Sequence, residues 1–135
     1  MTLTRAIDIN RWETGTMSLN ERIELLYETG QVDRDIFEQT PVVLRTVEAF
    51  LGVQLEEENA GSFTSHLMKA MQRMKTNQAV QSCSAALEQQ AASDSRIYAF
   101  SRGILAPFNA HETNVDAEAA FIASYLLTLT DGEEV

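Results

Sequence analysis

Two histidines and one cysteine are the conspicuous reactive side chains of this 135-residue chain. His66 has the more telling surroundings. It lies in Glu56 to Thr76, EEENAGSFTSHLMKAMQRMKT. Three carboxylates open that stretch, which suits the positive end of a helix dipole. Phe63, Leu67, Ala70, Met71 and Met74 follow at helical spacing and make one apolar stripe. His66 sits on the stripe's edge, three residues after Phe63 and four before Ala70. Arg73 comes seven residues later, nearly two turns, and falls on the same side. A histidine there is held by packing yet reached from water, as a switch or a phosphoryl acceptor requires. The plainer reading is a rim histidine with a satisfied hydrogen bond.

The other candidates are weaker. His111 lies in a polar stretch, Asn109 to Val115, and reads as an exposed loop histidine with only Glu112 beside it. Cys83 has no cation nearby to lower its pKa, so it reads as a small packing residue and not a nucleophile. Neither histidine has an acid or a second histidine at the i+3 or i+4 spacing of a helical metal site, so no metal or cofactor is expected. Glycine-rich phosphate loops are absent. A chain this poor in histidine and cysteine, with no nucleophile elbow, reads as no hydrolase and not as an enzyme.

Helices must position His66. Ser18 and Glu21 make a capping box for a helix bearing Ile23, Leu26 and Tyr27, and Gly30 follows as its C′ residue. Asp33 caps a second apolar segment that Gly52 closes. Pro41 lies inside that segment, so a kink near Glu38 to Thr40, or two helices end to end, is expected. The His66 stretch is third. A short helix follows around Ser84 to Ala91. Ser93 or Ser95 then caps a helix carrying Ile97, Tyr98 and Phe100, ended by Gly103 and Pro107. The last helix starts near Asn114 or Asp116, with Glu118, Phe121, Ile122, Tyr125 and Leu129 on one face. Strand-period alternation is missing. The expected fold is all-α, a bundle of about five helices.

The totals set outer bounds. The length suits one domain with its own core, here residues 18–130, with a leader at 1–17 and a frayed acidic tail at 131–135. Ile7, Ile9 and Trp12 would anchor the leader, or Met17 is an alternative start. A net charge of −10, ten basic residues among twenty acids, argues against direct nucleic-acid binding. One cysteine allows no internal disulfide and fits a reducing compartment. No apolar run reaches the roughly 18 residues of a membrane span, and the N-terminus has no apolar signal core. A cytoplasmic protein is expected.

With the helices placed, three runs resemble the PTS regulation domain family. These are ERIELLYETGQVDRDIFEQ, EENAGSFTSHLMKAMQRMK and EAAFIASYLLTL, in that order, covering about residues 18–130. The FTSHLMKAMQRM run is similar to the family's first histidine motif. The resemblance implies an all-α bundle, usually found in pairs in bacterial antiterminators and transcriptional activators. It also implies phosphorylation by a phosphocarrier of the sugar phosphotransferase system, HPr or an enzyme II B domain. Phosphorylation would repack a homodimer that governs an attached nucleic-acid-binding module. His66 matches the first phosphorylatable histidine. Arg73 is placed to pair with its phosphate, an inference from the helix alone. In the last helix Glu118, Phe121, Ile122 and Ala123 fit the second motif, but Tyr125 stands where the family has histidine. Seventeen residues before Ser18 are too few for a nucleic-acid module, so a stand-alone regulatory domain is expected. Two other readings compete. One is a dimeric interaction module of the same fold that is not phosphorylated. The other is a small helical enzyme with His66 as general base, marked by a cavity where His66, Tyr125 and Glu118 converge.

Overall fold

The computed structural model describes residues 17–134, with side chains through Thr130. The leader residues Ile7, Ile9 and Trp12 lie outside that range. All regular structure among the described residues is helical: α1 (Leu19–Glu28), α2 (Arg34–Leu51), α3 (Glu57–Lys75), α4 (Ala85–Ala92), α5 (Ser95–Leu105), a 3-10 turn (Ala106–Phe108) and α6 (Asp116–Glu134). The all-α expectation of about five helices is close to the six α-helices among the described residues.

Local chemistry sets most of the boundaries. The Ser18 hydroxyl accepts the Glu21 N–H at 3.2 Å, and Glu21 accepts the Ser18 N–H at 2.9 Å, closing the capping box. At the other end of α1, Gln31 N–H donates to the Leu26 carbonyl and Gly30 N–H to Tyr27. Gly30 has φ +79°, as the C′ residue of this Schellman arrangement requires. Asp33 caps α2 through the Ile36 N–H. Asn77, at φ 61°, closes α3 in the same way as Gly30 closes α1, with Gln78 N–H on the Arg73 carbonyl.

Four expectations need correction. Residues 34–51 form one uninterrupted helix despite Pro41, so the end-to-end reading fails. An interior proline costs about 3 kcal/mol. Burying the Ile36, Leu44 and Val47 side chains returns about 1.5–3 kcal/mol each, and that outweighs the proline. The cap of α5 is Asp94, not Ser93 or Ser95. Its carboxylate accepts both the Arg96 and Ile97 N–H groups at 3.1 Å, and an anion suits that end of the dipole better than a hydroxyl. Gly103 does not end α5, which continues to the buried Leu105. The helical penalty of one glycine is only about 1 kcal/mol. The acidic end is no frayed tail either, for α6 runs on to Glu134.

Helix α3 is the centre of the bundle. It packs on α1, α2, α5, α6 and the 3-10 turn. Phe63, Leu67, Ala70, Met71 and Met74 are all buried, as their spacing requires, and Ala60, Thr64 and Met68 join them. The buried surface is therefore wider than the stripe. Tyr27 stacks on Phe37 at 4.7 Å, joining α1 to α2. Phe50 stacks on Phe100 at 3.9 Å, with the Arg96 guanidinium over the Phe50 ring, joining α2 to α5. Among the described residues no helix is long and apolar enough to cross a membrane.

Candidate functional site

The C-terminal half of α3 lies against the N-terminal half of α6, and a cavity of about 350 Å³ opens between them. His66, Ala70 and Arg73 line it from α3. Glu118, Phe121, Ile122 and Tyr125 line it from α6, and Val80 from the connecting loop. The spacing argument thus holds in three dimensions. His66 and Arg73 share a side of α3, and four of the five residues assigned to one face of α6 meet them.

His66 is exposed at the rim, while its neighbours Leu67 and Met68 are fully buried. Its ring lies 5.1 Å from that of Tyr125, tilted by 32°. Tyr125 also contacts Phe63, centroid to centroid at 6.2 Å. Neither the imidazole nor the Tyr125 hydroxyl finds a hydrogen-bond partner among the described residues. The partly dry rim pushes the His66 pKa below its ordinary value, and the charges of Lys69 and Arg73 push it the same way. The uncharged form of His66, with its free ring lone pair, is therefore favoured.

Arg73, placed by its spacing to meet a phosphate on His66, already has a partner. Its Nε and one Nη hold both oxygens of Glu118 at 2.8 Å each. This is a fork-on-carboxylate pair. Glu118 is fully buried, and the Val80 N–H donates to it at 2.8 Å as well. Three N–H groups replace the water that the carboxylate gave up. The other Nη of Arg73 has no partner among the described residues. The sequence places Glu118 on the shared face of the last helix and in the second motif, but not against Arg73, which lies 45 positions away. One signal did exist: an acid flanked by alanines and followed by Phe-Ile-Ala reads as buried, and buried acids need a cation.

The convergence expected of a helical enzyme is present in outline, since His66, Tyr125 and Glu118 share one cavity. Glu118 is nevertheless fully engaged as a structural anion. His111 is exposed in the 109–115 segment that leads into α6, and it does not line the cavity. Cys83 is half-buried, and burial with the Glu88 charge raises its thiol pKa, so the protonated form is favoured. Among the described residues no group of three or more His, Cys, Asp and Glu side chains is arranged to hold a metal.

A second cleft, of about 380 Å³, runs between α1, α2 and the start of α3. Two of its carboxylates are already spent: Glu48 accepts the Leu55 N–H and Glu57 holds Arg22. It has no histidine or cysteine. The α3–α6 cavity is therefore the candidate site. Compared with family models, with characterised proteins and with solved structures, the chain finds no match.

Proposed function

We propose that this is a regulatory domain of bacterial sugar-phosphotransferase signalling, switched by a phosphoryl group on His66. One observation carries the reading: an exposed imidazole near the Lys69 and Arg73 charges, at the edge of a packed helix pair. The resemblance of the flanking runs to the PTS regulation domain supplies the class of donor. An HPr-type carrier or an enzyme II B domain would present its own phosphorylated side chain. The His66 ring nitrogen attacks phosphorus, a P–N bond forms, and the bond to the donor side chain breaks.

The product carries nearly two negative charges and three acceptor oxygens. Lys69 and the unpaired Nη of Arg73 are the cations whose charges already act on this imidazole. Arg73 is also the clamp on Glu118, so any pull on Arg73 loads the α3–α6 contact. The output is a change in how this helix pair meets a second copy or another protein. Tyr125 lies beside the imidazole and offers no second acceptor for phosphohistidine chemistry, which gives one site in place of two.

The test is transfer from phosphoenolpyruvate through enzyme I and HPr, with and without enzyme II B domains. Intact mass is read under non-acidic conditions, because phosphohistidine is acid-labile. One added phosphoryl group is expected, absent in His66→Ala, which should retain its helical circular dichroism. Labelling that persists in the variant would move the site. No labelling by any carrier would leave the unphosphorylated interaction module as the better reading.

A further inference from the structure

The α3–α6 cavity has a chemistry that a phosphoryl switch does not use. Its walls are mostly apolar: Ala70, Val80, Phe121 and Ile122. Three polar groups face it without partners among the described residues, and all three can donate: one Nη of Arg73, the Tyr125 hydroxyl and the His66 imidazole. Its 350 Å³ is within the size range of small-ligand sites. Phe121, the large apolar side chain at its mouth, is 40% exposed.

Charge narrows the ligand further. Glu118 is the only carboxylate in the wall, and the Arg73 fork and the Val80 N–H cancel it. The cavity floor is therefore close to neutral, with Lys69 adding one positive charge near the rim. A free ligand carrying one negative charge is matched by these donors. The chain's net charge of −10 repels anions at long range, but that field is screened within about 8 Å at physiological salt. The local donors decide. Arg73 is also held rigid by Glu118, so little side-chain freedom is lost when a ligand binds.

We infer that this cavity binds a small monocarboxylate with a compact apolar body, its carboxylate on Arg73 and Tyr125 and its body against Phe121, Ile122 and Val80. This goes beyond the phosphoryl reading and does not depend on it. The ligand would occupy the space beside His66 and so compete with a carrier for access.

The experiment is a nitrogen-15 NMR titration of the full, unphosphorylated chain with benzoate and with 4-methylpentanoate. The matching primary amides and inorganic phosphate serve as controls. Saturable shifts are expected at the Val80, Phe121 and Tyr125 amides. Binding of the amides should be about tenfold weaker, the worth of a charge-assisted hydrogen bond. Phe121→Glu, a change at an exposed position, should abolish the shifts, and Tyr125→Phe should weaken binding about fivefold. The inference falls if neither carboxylate saturates, if the amides bind as well, or if Phe121→Glu binds unchanged. Tighter binding of phosphate at the same resonances would also overturn it, and would mark the cavity as a phosphoryl pocket. No carrier takes part, so failure of His66 labelling leaves this result untouched.

Discussion

Two arginine–glutamate pairs clamp the central helix, one at each end, and they are not equivalent. At the start of α3, Glu57 holds Arg22 of α1, with side chains 23% and 27% exposed. Arg22 also donates to Ser65 at 2.9 Å. Gly61 makes room for this pair, since a β-carbon there would come within 2.7 Å of the Glu57 carboxylate. At the end of α3, Arg73 holds Glu118 of α6, and Glu118 is completely buried. Water shares the charges of the first clamp. In the second the carboxylate has only its protein partners. The same two residue types therefore make a soft clamp at one end of α3 and an all-or-nothing clamp at the other. The rigid one is built into the wall of the candidate site.

Removing the rigid clamp should have the largest effect. Glu118→Ala leaves the Arg73 guanidinium half-buried without its anion and the Val80 N–H without an acceptor. Breaking a buried pair costs 3–5 kcal/mol, and Arg73 still reaches some water, so a loss of about 3 kcal/mol is expected in urea unfolding. A loss below about 1 kcal/mol would mean that the two clamps are alike after all. Arg22→Ala should cost about 1 kcal/mol, the range of a pair shared with solvent. Salt should separate them further. In 1 M sodium chloride the Arg22→Ala deficit should shrink, because partly exposed charges are already screened. The Glu118→Ala deficit should persist. If both deficits respond to salt equally, burial is not what distinguishes the clamps.

The contrast also marks where the sequence was readable. Local features were. The Ser18–Glu21 capping box, the Gly30 turn, the apolar stripe of α3 and the side shared by His66 and Arg73 are each encoded within a single helix or its ends, and the structure holds each of them. The clamps were not legible, because Arg22 and Glu57 are 35 positions apart and Arg73 and Glu118 are 45 apart. Long-range pairing has no period to detect. Arg73 was consequently expected to be available to a phosphate, when two of its three nitrogens are already committed. Pro41 misleads for a related reason: a breaker is a local signal, and the burial of Ile36, Leu44 and Val47 that overrides it is tertiary. The cavity depends on α3 and α6 meeting, so it too lay beyond the reach of spacing, although its residues were nearly all named.

The smallest expected effect is the most direct probe of the site. The partly dry surroundings of His66, and after that Lys69 and Arg73, lower its pKa. The unfolded chain, near the ordinary value of about 6.5, then binds more protons than the folded one between the two pKa values. Stability from this group is thus complete above the ordinary value and falls as pH drops toward the depressed folded one. An NMR titration of the His66 ring should give a midpoint below that of a model peptide. Lys69→Ala should raise it only part of the way, because loss of hydration is the larger cause and stays in place. A full return to the ordinary value in Lys69→Ala would make the shift purely a charge effect. A native midpoint already at the ordinary value would remove the reason His66 is kept uncharged, and with it the ready lone pair that phosphoryl transfer needs. The rigid clamp sharpens this reading. Arg73 is held by Glu118 and cannot swing away to relieve the imidazole, so its contribution should survive in Lys69→Ala.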